Sequence, residues 1–186
     1  MMKKLFSLLL ALCLLLTPVL AEEEDSSAYQ RIYDMLLDQI SDLTFTRYDD
    51  SYSIYLGYGL DDNPYGNADV ILDAYADAFT INVSFQKPLD EALVPTVLSF
   101  FNYLNDSIYV GKLMLTKLSG NWYPAYEIFV AVNPNGISDW DRDCVLAYAS
   151  LALNTMEEMP DYLLELTNGE TPENVFAMWK ADVGIE

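Results

Sequence analysis

Hydrophobic and polar residues follow two different periods along this chain. Between Tyr29 and Leu43 apolar residues recur every three or four positions, which predicts a helix with one apolar stripe. After Leu43 the period falls to two, most cleanly over residues 79–86, where apolar side chains alternate with polar ones. A strand with one apolar side and one polar side is typical of an antiparallel sheet that buries one face.

Turn and proline signals divide the second half of the chain. Pro95 suits the first turn of a second helix, which we expect to end near Asn105. The β-rich runs 108–118 and 122–132 flank a short loop that contains Gly120, which predicts a hairpin.

Helices follow this hairpin. Ser138 and Asp141 form a capping box at the start of the third helix. The apolar run 144–153 predicts that this helix is deeply buried or faces a partner, and Pro160 is expected to kink or split it. Because strands group and helices segregate, the sequence predicts an α+β fold. We expect an antiparallel sheet of about five strands with helices packed on one face, in the order α-β-β-β(-β)-α-β-β-α-α.

The first 21 residues have the layout of a bacterial secretory signal peptide. Lys3 and Lys4 precede an apolar run over residues 5–16, and small or aliphatic residues end at Ala21. The apolar run is shorter than the ~20 residues that a membrane-spanning helix needs. We therefore expect cleavage, with a lipid anchor at Cys13 as the alternative.

Signal cleavage sets the expected organisation of the rest. Residues 22–27 are predicted to be a flexible acidic N-terminus, and residues 28–186 a single α+β domain. The mature protein is expected to be secreted or extracytoplasmic, in the cell envelope, with no stable membrane anchor.

Composition argues against several functional classes. Without Lys3 and Lys4 the chain has seven basic and 29 acidic residues, a net charge of −22, which repels nucleic acid and anionic lipid. The sequence contains no histidine, which removes Ser–His–Asp and Cys–His nucleophile systems and histidine-ligated zinc. Cys144, the one cysteine after residue 21, is expected to be a small buried hydrophobe. We predict that the chain is not an enzyme and that it has no catalytic residues and no cofactor.

An ordered set of residues between Phe79 and Leu153 resembles a known family. The set comprises Pro95, Asn102-Tyr103-Leu104-Asn105, Gly111-Lys112-Leu113-Met114-Leu115 and the turn Asn133-Pro134-Asn135-Gly136-Ile137-Ser138. It resembles the YbjN-like family, whose fold is that of type III secretion chaperones. The resemblance implies that fold and a regulatory or chaperone-like binding role without catalytic residues. Members are mostly cytoplasmic, whereas a signal peptide places this chain outside.

One loop has part of the spacing of a calcium site. Asp61, Asn63 and Asp69 stand at the first, third and ninth positions of such a loop, with Gly66 at the sixth. The twelfth position lacks its acid, although Asp73 follows it. A weak Ca²⁺ site at Asp61, Asn63, Asp69 and Asp73 is thus one interpretation, and an ordinary polar turn is the other.

Tyrosines cluster in the same third of the chain. Tyr52, Tyr55, Tyr58 and Tyr65 lie among short polar residues, a composition found in recognition surfaces and suited to stacking on sugar rings. They are a predicted binding surface. The alternative is that aromatic residues favour strands and that half of them face the core.

These observations predict an exported, non-enzymatic binding or regulatory module that holds a protein partner or a second copy of itself. Two alternatives stay open. One is a carboxylate-dependent hydrolase of the cell envelope, and the other is an envelope module that binds Ca²⁺ or carbohydrate.

Overall fold

A computed structural model describes residues 28–40, 46–48, 52–60 and 63–185 of the chain. The predicted signal peptide, the acidic segment 22–27 and Asp61 lie outside these ranges. The elements in chain order are a helix over residues 28–39 (α1), β1 Thr46–Tyr48, β2 Ser53–Tyr58, β3 Ala68–Ala74, β4 Ala78–Phe85, α2 Val94–Asn105, β5 Lys112–Leu118, β6 Asn121–Ala131, α3 Asp139–Thr167 and α4 Pro172–Asp182.

In this part of the chain six strands form one antiparallel sheet, in the order β1-β2-β3-β4-β6-β5. The predicted α+β class and element order are confirmed, and the optional fourth strand is present. The short β1 brings the sheet to six strands where about five were expected.

The two faces of the sheet have different surroundings. In β4 the side chains of Phe79, Ile81 and Val83 are fully buried in the core. They pair across to β6 in register with buried partners, Ile81 opposite Ile128 for example. α3 packs against β4 and β6, and α2 packs against β5. Among the residues that the structure describes, the opposite face is open, and Phe129 in β6 is 64% exposed there.

β5 starts later in the sequence than predicted, because a loop comes before it. β5 begins at Lys112 rather than at residue 108. The side-chain amide of Asn105 donates to the Leu113 carbonyl at 2.9 Å and accepts from the Leu113 amide at 2.7 Å, which fixes the end of α2 to β5. Gly111 has a φ of +75°, which turns the chain into the strand. Residues that carry the family resemblance therefore build this turn.

α3 is one helix of 29 residues. The predicted capping box is present, since the Ser138 hydroxyl accepts from the Asp141 amide and the Asp141 carboxylate accepts from the Ser138 amide. Pro160 lies inside the helix and does not end it. Met156 and Leu163, on either side of Pro160, are buried, and this packing offsets the ~3 kcal/mol that an internal proline costs. No described helix is both long and apolar enough to cross a membrane.

Candidate functional site

The middle of α3 is a ridge with one buried side and two exposed flanks. Val145, Ala152 and Met156 face the core and are fully buried. Leu146 is 48% exposed on one flank, and Leu151 is 39% exposed on the other. The apolar run that the sequence singled out is therefore anchored to the domain along one side and open to solvent along two.

An apolar groove of about 330 Å³ lies on the Leu146 flank, and we call it the N-terminal groove. Its floor is the helix-covered face of β2 and β3, where Leu56 and Val70 are adjacent in register. The end of α1 closes one side and α3 the other. The N-terminal groove is lined by Ile40, Leu56, Gly57, Tyr58, Val70, Leu72, Leu146, Ala149, Ser150 and Leu153.

A second apolar groove, of about 310 Å³, lies on the Leu151 flank, and we call it the C-terminal groove. Its walls come from the end of α2, the loop before β5, α3 and the end of α4. Trp179 is held in place because its ring stacks on Phe176 at 5.7 Å, and Phe176 stacks on Tyr103 at 5.5 Å. The C-terminal groove is lined by Leu104, Ile108, Tyr109, Val110, Leu113, Tyr126, Leu151, Thr155, Glu158, Met159, Trp179 and Val183.

An acidic pocket of about 400 Å³ adjoins the C-terminal groove. It is lined by Glu158, Asp161, Tyr162, Leu164, Glu165, Met178 and Asp182. The Tyr162 hydroxyl donates to the Asp182 carboxylate at 3.0 Å and ties α3 to α4. Burial, that hydrogen bond and the surrounding carboxylates all raise the pKa of Tyr162 above its ordinary value of 10.0.

This raised pKa predicts a loss of stability in alkali. Tyr162 contributes fully below pH ~10, where it is neutral in both states, and the contribution disappears as the pH rises toward its folded-state pKa. We expect the free energy of unfolding to fall between about pH 8 and about pH 11, and to fall less in Tyr162→Phe. Urea titrations at both pH values measure the difference, and equal losses in the two proteins would contradict the assignment.

A polar cavity of about 480 Å³ lies between α1 and the turn before α3. It contains Asp34, Asp38, Arg31 and Arg142. Arg31 donates to the Pro134 carbonyl at 2.6 Å, and Arg142 pairs with Asp139 at 3.2 Å. These arginines hold the turn and the start of α3. The alternative of a carboxylate-dependent hydrolase stays a prediction.

The four predicted surface tyrosines are distributed over several places. Tyr52 stacks on Tyr29 of α1 at 5.4 Å, and Tyr65 stacks on Phe85 of β4 at 5.4 Å. Tyr58 lines the N-terminal groove and is partly exposed.

Tyr55 is the one of the four that lies on the open face of the sheet, and its hydroxyl donates to Asp69. The structure therefore does not bring the four tyrosines into one continuous surface, and a ligand role for them stays a prediction.

The predicted calcium residues that the structure describes are engaged in hydrogen bonds. Asn63 accepts from the Tyr65 amide at 2.9 Å, Asp69 accepts from Tyr55, and Asp73 accepts from the Ser53 hydroxyl at 2.5 Å. Asp69 and Asp73 stand four residues apart in β3, about 13 Å along a strand. Within the described ranges no three carboxylate or cysteine side chains are grouped to hold a metal ion. The Ca²⁺ site stays a prediction.

The structure confirms one smaller prediction, at Cys144, and shows an ion pair across the β5–β6 hairpin. Cys144 is a free, buried cysteine, and burial raises the pKa of its thiol. Lys112 pairs with Glu127 across the hairpin at 2.8 Å, on the open face of the sheet.

Sequence reasoning missed the groove-lining residues of α4 and of the loop before β5. One signal was present, because Leu151, Thr155, Glu158 and Glu165 follow one another at helical spacing along one side of α3. The contributions of Trp179 and Val183 depend on where α4 packs, which no local pattern in the sequence encodes.

Comparisons with known proteins support the fold. No family model and no curated protein sequence matches this chain. The structure is similar to the crystal structure of YbjN from E. coli, a proposed transcription regulator, with a TM-score of 0.51 and 12% sequence identity. The match covers 69% of this chain and 87% of that one. The predicted YbjN-like fold is confirmed, and at this identity the likeness extends to the fold alone.

Proposed function

We propose that this chain is an exported, non-enzymatic binding module that holds an apolar segment of a partner protein beside α3. The observation that carries the proposal is the pair of apolar grooves on the two flanks of one helix. Each groove is concave, and each exposes a leucine, Leu146 or Leu151, at its edge. A peptide that binds a groove in this way buries a few apolar side chains at regular spacing.

The chemistry of the grooves suits recognition. Polar groups in the C-terminal groove are few, mainly the hydroxyl groups of Thr155 and two tyrosines and the carboxylate of Glu158, around a largely aliphatic and aromatic surface. Burial of apolar area supplies affinity at about 25 cal/mol per Å² before the costs of association. Together with a sequence that contains no histidine, this composition supports binding over catalysis.

The fold neighbour is compatible with a regulatory role, since YbjN is described as a proposed transcription regulator. Direct binding to nucleic acid is disfavoured for the present chain, because its net charge is −20 even with the signal peptide. The negative charge is compatible with a regulatory role that acts through a bound protein. Export rests on the signal-peptide pattern, and the mass of the protein from its native host tests it, since cleavage leaves Glu22 at the N-terminus.

Binding can be tested with a neutral amphipathic peptide of about 14 residues that has leucine at helical spacing and glutamine elsewhere. We expect saturable binding in the micromolar range by fluorescence anisotropy. Leu146→Ser and Leu151→Ser should each weaken binding, and the double variant should weaken it about tenfold or more, because both groove edges lose apolar contact.

Leu98→Ser is the matched control, since Leu98 is 40% exposed on α2 and lines neither groove. The proposal is wrong if the wild-type protein does not bind the peptide, or if the double variant binds as tightly as Leu98→Ser.

A further inference from the structure

We infer that the partner segment at the C-terminal groove is cationic, with apolar side chains in the groove and lysine or arginine side chains in the acidic pocket. This inference rests on the proposed function and specifies the chemistry of the partner. Its basis is that the groove and the pocket are one continuous surface with two different properties.

The continuity is visible in the residues that border both features. Glu158 lines the C-terminal groove and the acidic pocket alike. Val183 lines the groove, and its neighbour Asp182 lines the pocket. A segment that lies along the groove therefore reaches the carboxylates within one or two of its own residues.

The carboxylates are concentrated and have no described cationic partner. Glu158, Asp161 and Glu165 follow at helical spacing on one side of α3, and Asp182 faces them from α4. Neither lining contains a lysine or arginine, and the ion pairs of the described chain lie elsewhere. Between Asp139 and Asp182 the sequence has ten acidic residues and two basic ones.

This arrangement of carboxylates lowers the stability of the isolated protein. Like charges at three- and four-residue spacing on a helix destabilise it by a few tenths of a kcal/mol per pair. A bound cation relieves that repulsion, and a groove lined by one sign of charge also raises the rate of encounter with the opposite sign. The surface is thus complementary in charge and in polarity to a cationic amphipathic segment.

The same argument disfavours a second copy of the chain as the occupant. Two copies that met through this surface in a symmetric contact would bring carboxylates against carboxylates. A partner of opposite charge gains attraction at the same place.

The test compares four peptides of about 14 residues on the purified protein. Three share leucine at the same helical positions and have lysine, glutamine or glutamate elsewhere; the fourth keeps the lysines and replaces leucine by serine. We expect the leucine–lysine peptide to bind about tenfold more tightly than the leucine–glutamine peptide at about 50 mM salt. The advantage should shrink at about 300 mM salt, and the leucine–glutamate and serine–lysine peptides should bind weakly.

Two double variants separate the pocket from the overall charge. Glu158→Gln with Glu165→Gln should reduce binding of the leucine–lysine peptide about fivefold and leave the leucine–glutamine peptide unchanged. Asp77→Asn with Glu91→Gln removes the same charge outside both linings and should change neither.

Each contrary outcome has a distinct meaning. Equal binding of the lysine and glutamine peptides overturns the cationic partner and leaves the proposed function standing, whereas failure of the leucine–glutamine peptide to bind overturns the proposed function. If the two double variants weaken binding equally, or if the serine–lysine peptide binds tightly, net charge alone explains the binding. Either result overturns the inference. If light scattering shows that the protein self-associates, and Leu151→Ser abolishes the self-association, the occupant of this surface is a second copy of the chain.

Discussion

Gly111→Ala is expected to lower the free energy of unfolding by about 3–5 kcal/mol. Two costs combine at this position. The φ of +75° is a conformation that side-chain-bearing residues rarely adopt, and an added Cβ would lie 2.8 Å from the Glu127 carbonyl oxygen and 2.8 Å from the Tyr126 ring. The carbonyl belongs to β6 and cannot move without disturbing the sheet. Urea unfolding followed by tryptophan fluorescence measures the loss.

Gly120→Ala is the matched control, because the two glycines share a positive φ and differ in their surroundings. Gly120 has a φ of +88° in the turn between β5 and β6, and a Cβ there meets open space. We expect a loss of about 1–2 kcal/mol from conformation alone. If the two variants lose the same stability, the close approach at Gly111 contributes nothing.

Phe100→Ala is expected to cost about 3–5 kcal/mol, since it removes a fully buried aromatic side chain. The Phe100 ring lies 6.1 Å from that of Tyr162, so it joins α2 to the part of α3 that borders the acidic pocket. The same urea titration applies. The loss should be accompanied by weaker peptide binding at the C-terminal groove, because the walls of that groove depend on the packing of α2 against α3.

Phe129→Ala removes the same atoms from the open face and should cost less than about 1 kcal/mol. Phe129 is 64% exposed in β6. A cost equal to that of Phe100→Ala would show that another molecule covers this face in solution.

The sequence predicted those elements whose determinants are local. Alternation in β4 was clear because Phe79 and Ile81 must be buried while Asn82 and Ser84 stay on the open face. The helix start at Ser138 was also predictable, since a capping box involves residues only three positions apart. Local chemistry of this kind was sufficient to derive the α+β class and the order of elements.

Elements that depend on distant contacts were placed less well. Ile108 and Val110 have the composition of a strand, yet they lie in a loop because Asn105 is bonded to Leu113. Helical periodicity showed that α3 is apolar on several sides, but it could not show which side the sheet covers. That depends on the positions of α2 and α4, and so the grooves were not predictable from the sequence.

The strand order has a consequence for how the domain folds. In the sheet formed by the described strands, every pairing joins strands that are adjacent in sequence, apart from the pairing of β4 with β6. The pairing of β4 with β6 brings together residues 41 to 53 positions apart, from Ser84↔Ala125 to Ala78↔Ala131, with α2 and β5 in the intervening loop. Chain entropy opposes the closure of this loop more than that of any hairpin. Pairing of β4 with β6 is therefore the step that joins the four-stranded meander β1–β4 and the β5–β6 hairpin into one cooperative unit. We expect this step to limit the folding rate.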